Sequence, residues 1–171
     1  MENSMVKNVW TVISVISVAI LCLAGCQSEK ITSLPDNFSL KWRTGPTHAD
    51  RGPHAFIHIT KVDGGYLLEK GKNYKFYSKE DFSLKDKTEI DVKKTLTEQD
   101  VMSLCQLIVD EDILDMDKRY RDPEIMDGDY KYVEISWQDA TKKISAVNVT
   151  PKPLKKLIIK LEGLAKPKKD V

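Results

Sequence analysis

Phe38-Ser39-Leu40-Lys41-Trp42-Arg43 is the stretch whose reading decides the fold. Large apolar side chains at 38, 40 and 42 alternate with polar ones at 39, 41 and 43, the period of two by which a strand sends successive residues to opposite faces. The segment predicts a half-buried strand, stopped by Thr44-Gly45-Pro46. Downstream, residues 55 to 62 (Ala-Phe-Ile-His-Ile-Thr-Lys-Val) are rich in β-branched and aromatic residues. Asp63-Gly64-Gly65 supplies a tight turn and Tyr66-Leu67-Leu68-Glu69 the return strand, which together predict a hairpin.

Further on, Tyr74, Phe76, Tyr77 and Phe82 lie among lysines and acids in residues 73 to 82, a pattern equally compatible with an edge strand and with an ordered loop. Ile90, Val92 and Leu96 alternate with charged residues and predict another strand. Thr97-Glu98-Gln99-Asp100 has the form of a capping box, and Val101, Leu104, Cys105 and Ile108 mark one face of the helix it would open. Asp110-Glu111-Asp112 fits poorly at a helix C-terminus, where the dipole disfavours negative charge, so it is expected to open a short turn containing Ile113, Leu114 and Met116.

A loop through Pro123 to Asp127-Gly128-Asp129 then leads to a second hairpin, residues 130 to 138 and 142 to 149. A closing helix starts near Pro153 and presents Leu154, Leu157, Ile158, Leu161 and Leu164 on one side. Grouped strands followed by helices, joined by short turns, predict an α+β domain. The expected architecture is a mostly antiparallel sheet of about six strands with two helices packed on one face.

Upstream, the 17 residues from Val9 to Gly25 carry no charge and follow Lys7. A basic n-region, an apolar run and small residues at its end have the anatomy of a signal peptide. Either Met1 or Met5 can begin it. Leu23-Ala24-Gly25-Cys26 resembles the cleavage site of bacterial lipoproteins. That resemblance implies cleavage between Gly25 and Cys26, with diacylglycerol on the Cys26 thiol, rather than an uncleaved span or unlipidated secretion. The organisation expected is a signal peptide at 1–25, the lipidated cysteine and a tether at 26–36, a single α+β domain at 37–165, and a basic tail at 166–171. At about 3 Å per residue the tether would keep the domain within about 30 Å of the bilayer.

Charge excludes one broad function class. The net charge is +1, and removing residues 1–25, which hold one lysine and one glutamate, leaves it unchanged. A nucleic-acid binder that works by phosphate neutralisation carries a basic stripe, so no nucleic-acid partner is expected. Cys22 would leave with the signal and Cys26 would take lipid. Cys105 then remains the single free thiol, and the domain must fold on its core without an intramolecular disulfide.

His48, His54 and His58 are the only metal-like cluster, and their region is also where a hydrolase would be sought. The spacing of His54 and His58 would suit two ligands on a helix, but Phe56-Ile57-His58-Ile59 reads as strand, where four residues span about 13 Å, too far for one zinc. The favoured reading is one half-exposed strand histidine, His58, and two loop histidines. Cys105 falls on the apolar helix stripe and reads as a packing thiol.

The acids from Asp110 to Asp129 do not match a calcium loop, and Lys118-Arg119-Tyr120-Arg121 interrupts them with neutralising charge. Lys152, Lys155, Lys156 and Lys160, with Lys166, Lys168 and Lys169 beyond, read as the solvated face of the last helix, with contact to anionic headgroups as the competing reading. No serine elbow, phosphate-binding glycine loop or His-Glu-x-x-His is present. No catalytic residue and no cofactor is implied.

The order of elements from residue 37 to 165 resembles small bacterial lipoproteins with an α+β domain. It begins with Phe38 to Arg43 just past the tether, turns at Asp63-Gly64-Gly65, and has a helix after Thr97, a late hairpin and a closing helix. The resemblance implies a lipid-anchored protein of the cell envelope. Gln27 after the lipidated cysteine implies the outer membrane, periplasmic face, in a cell with two membranes. The expected function is non-enzymatic binding of an envelope protein or cell-wall component. The alternatives are a hydrolase or metal-dependent enzyme built on His48 to His58, and an inhibitor-like module that adds its edge strand or inserts a loop into a partner.

Overall fold

A computed structural model describes residues 30–47, 53–73, 88–125 and 128–166. The segment expected to be a signal peptide, with Gly25 and Cys26, and also His48, most of residues 73 to 82, Asp127 and the tail beyond Lys166 lie outside them. Among the described residues no helix is long and apolar enough to cross a membrane.

The chain runs β1 (Ser39–Pro46), β2 (His54–Val62), β3 (Gly65–Asn73), β4 (Thr88–Leu96), α1 (Glu98–Asp110), a 3-10 turn (Ile113–Asp115), β5 (Arg119–Arg121), β6 (Asp129–Trp137), β7 (Ala140–Val147) and α2 (Lys152–Leu164). The fold is α+β with a mostly antiparallel sheet. Its order is β4-β3-β2-β1-β6-β7-β5, with seven strands rather than about six.

The added strand is Arg119-Tyr120-Arg121, inside the stretch expected to be loop. It joins β7 in parallel, anchored by Ser145 N–H to the Lys118 carbonyl and Asp122 N–H to that of Val147. Three residues give too little periodicity for a strand to be read from sequence. β1 also runs past its expected stop, because Thr44, Gly45 and Pro46 pair with Lys131, Tyr130 and Asp129 of β6.

Both hairpins form where the turn chemistry places them. Gly64 has φ 85°, a conformation open to glycine at little cost, between the paired ends Val62 and Gly65. The capping box closes as expected: Thr97 Oγ1 accepts from Asp100 N–H and Asp100 Oδ2 from Thr97 N–H, each at 3.1 Å. The acidic run divides: Asp112 opens the expected short turn, Ile113–Asp115, but Asp110 ends the helix and Glu111 caps it. Gln106 Nε2 donates to Asp110 Oδ1 and Lys156 pairs with Glu111, which offsets the unfavourable dipole.

Register fixes the two faces of the sheet. Leu40 stands between Ile59 and Ile135, and Trp42 between Ile57 and Val133. These residues share one apolar cluster with Leu68, Ile144, Val101, Leu104, Cys105 and Ile108 of α1, and Leu154, Leu157 and Leu161 of α2. On the same face Lys70 pairs with Glu162, and Lys94 Nζ donates to the Leu164 carbonyl. Lys41 and Arg43 project to the other face, with His58 and Phe56 on β2 and Glu134 and Tyr132 on β6.

Candidate functional site

The second face is polar, yet its middle is buried. Arg43, His54, His58 and Asn73 are the buried polar or charged residues among those described, and Tyr130 and Tyr132 are buried beside them. His54 is the first residue of β2, where its pairing with Asn73 lengthens the hairpin by one position, so it is a strand residue and not a loop histidine. His58 is 7% exposed rather than half-exposed, with its ring 4.9 Å from that of Phe56. The strand register puts both rings on the face opposite Ile57 and Ile59, and alternation in sequence does not say that this face is covered.

Gly45 makes the central contact possible. A Cβ there would stand 2.2 Å from His54 Nδ1, so the absent side chain leaves the space through which His54 reaches across β1. On the far side Tyr130 Oη lies 2.9 Å from His54 Nδ1. The Arg43 guanidinium sits 5.6 Å from the centre of the Tyr130 ring and hydrogen-bonds its hydroxyl.

Burial, followed by the Arg43 charge, lowers the His54 pKa. Burial raises that of Tyr130, against the opposing pull of Arg43. The ring is therefore neutral and the phenol protonated near neutral pH. We assign the chain of donors as Arg43 to the Tyr130 oxygen, then Tyr130 O–H to His54 Nδ1, which leaves the ring proton on Nε2. Nε2 is buried without a partner, so it offers a donor rather than a lone pair.

His58 is also held neutral, its pKa pushed down to about 4 by burial and then by Lys41 and Arg43, with Glu134 opposing. His54 and His58 thus sit in one buried polar layer but do not join a metal-ligand set. Among the described residues no group of three or more His, Cys, Asp or Glu is arranged to hold a metal ion. Cys105 is buried in the apolar cluster of the other face, its thiol pushed up to about 12 by burial, which keeps it protonated.

Next to this layer a cavity of about 540 Å³ opens at the β5 end of the sheet, lined by Arg119, Arg121, Tyr132, Lys143 and Ser145 among others. Tyr132 connects the two regions, being the register partner of Arg43 on β1 and of Ser145 on β7, while Ser145 is in turn opposite Arg119. Among the described residues no carboxylate, imidazole or thiol lines the cavity. Lys143 pairs with Glu134 at 3.4 Å, but Glu134 also pairs with Lys41 at 3.1 Å. Among the described residues Lys118, Arg119 and Arg121 make no ion pair.

None of these cavity residues stands out in sequence as a site. The one signal is the Arg-Tyr-Arg alternation, which marks two like charges on one strand face.

The amino-terminal segment also contacts the domain. Ile31 and Leu34 pack against the core cluster, and Ile31 N–H donates to Gln106 Oε1 at 2.9 Å, so the second half of the expected tether lies against α1.

Compared with known proteins, the chain matches no family model and no curated protein.

Proposed function

We propose that this chain is a lipid-anchored, non-enzymatic binding domain of the bacterial envelope, attached through Cys26. In this reading both helices cover the Leu40 face of the sheet, and the partner engages the opposite face at its β5–β7 end. The observation that carries it is the open cavity beside Tyr132, whose lining among the described residues offers cations and hydroxyls without a carboxylate, imidazole or thiol. Such a lining suits holding a ligand better than moving a proton, since general acid–base chemistry draws on groups that titrate near working pH.

The docked Ile31 supports a position close to the bilayer, because it leaves only residues 26–30 between lipid and domain, a reach of about 15 Å. The partner in this reading is another envelope protein or a cell-wall component. Strand addition fits less well. The outer strand β4 carries Glu89, Asp91, Lys93 and Lys94, and β5 is three residues long, both devices that blunt a sheet edge.

Crosslinking in intact cells, followed by co-purification of the lipidated protein, tests the proposal. One recurrent envelope partner is expected, crosslinking most strongly from positions around β5 and β7. Absence of any recurrent partner, or crosslinks confined to α1 and α2, would overturn it.

A further inference from the structure

The cavity lining is cationic: Lys118, Arg119, Arg121 and Lys143 contribute to it, and no carboxylate among the described residues does. Arg119 and Arg121 are two residues apart on β5 and so project to one face about 7 Å apart. The side chain of Lys143 enters the same space from β7, and its carboxylate partner, Glu134, is shared with Lys41. The Ser145 hydroxyl has no protein partner among the described residues, and Tyr132 forms the inner wall. The guanidinium groups of Arg119 and Arg121, the ammonium of Lys143 and the Ser145 hydroxyl line a space of about 540 Å³ that, among the described residues, is rich in cationic donors and lacks a carboxylate.

We propose that this cavity is an anion-binding site for phosphate or carboxylate oxygens, a reading that rests on the binding function above and names its ligand chemistry. Arg119 and Arg121 supply planar, paired donors of the kind that grip such groups through two parallel hydrogen bonds. Lys143 adds a point charge and Ser145 a hydroxyl donor. Phosphate on an envelope polymer or a lipid headgroup and carboxylate on a cell-wall peptide all present this chemistry.

The test uses the full lipidated chain in a neutral detergent, titrated with inorganic phosphate and with citrate at constant ionic strength and followed by melting temperature. A saturable rise with either anion, absent with chloride, is expected. The Arg119→Gln/Arg121→Gln variant should bind at least tenfold more weakly. Lys143→Gln should weaken binding about threefold, while Lys152→Gln/Lys155→Gln on α2 should leave it unchanged.

Monomeric dihexanoylphosphatidylglycerol separates the sources. Displacement of phosphate by it assigns a lipid headgroup, and phosphate binding without displacement assigns a free or polymer-borne anion. Absence of saturation with both anions, or equal saturation in the double arginine variant, overturns the proposal. Failure here alongside a recurrent crosslinked partner removes only the anion assignment, and the reverse pair of results removes only the envelope partner.

Discussion

The two faces of one sheet solve burial differently. On the Leu40 side, Ile57, Ile59, Val133, Ile135 and Ile144 are completely buried with the apolar side chains of both helices. Its stability comes from area removed from water and from close packing, which need no particular partner for each atom. On the Arg43 side, burial encloses a guanidinium, two imidazoles and two phenols. Each of these costs free energy unless hydrogen-bonded or held neutral. The first face tolerates exchange of one apolar shape for another, whereas the second depends on particular atoms, on protonation state and on the missing side chain at Gly45.

The sharpest way to break this comparison is to make a hole in the apolar face. Leu40→Ala should lose about 3–5 kcal/mol, read by urea unfolding, because the fully buried site between Ile59 and Ile135 has little room to collapse. The loss should be the same at pH 7 and pH 5, since no titratable group is involved.

Acid acts on the other face. The pKa of His58 is about 4 in the folded chain and near 6.5 when unfolded, so the unfolded chain takes up the proton first as pH falls. Stability should be complete above pH 6.5 and decline towards pH 4, by about 3 kcal/mol for the full shift. The His58→Gln variant should lose this component of the slope. An unchanged slope in that variant would remove His58 as its source.

The smallest expected effect probes Gly45. Gly45→Ala places a methyl group against His54 and should cost about 2 kcal/mol. In Gly45→Ala/His54→Ala the two costs should fail to add, the double variant being more stable than the sum of the singles predicts. Strict additivity would mean that the glycine is needed for some reason other than the histidine ring.

Legibility in the sequence followed the range of the interactions. Thr97 to Asp100 and Asp63 to Gly65 act within a few residues, so the cap and the turn could be read from the chain directly. Phe38, Leu40 and Trp42 could be assigned to one face for the same reason. β5 escaped because its three residues are defined by pairing with Ser145 to Val147, more than twenty positions away. His58 is buried rather than half-exposed because alternation gives the side of a strand but not what lies over it, and His54 joins β2 through a pairing with Asn73 that lies nineteen positions away. The cavity residues were invisible as a group, since Arg119, Tyr132 and Ser145 come from three strands.

The sequence alone determined the α+β class, the inward set of apolar residues, the turns and the helix start, because period, φ preference and capping are local properties of a chain. It also carried the features of Leu23-Ala24-Gly25-Cys26 on which the envelope reading rests. Only the tertiary structure decided that β1 lies between β2 and β6, which brings Arg43, His54 and Tyr130 together across Gly45 and sets Tyr132 beside Arg119 and Ser145. Pairing of β1 with β6 joins residues 93 apart, such as Lys41 and Glu134. Contacts of that range depend on how the whole apolar face is buried, which no single stretch of sequence specifies.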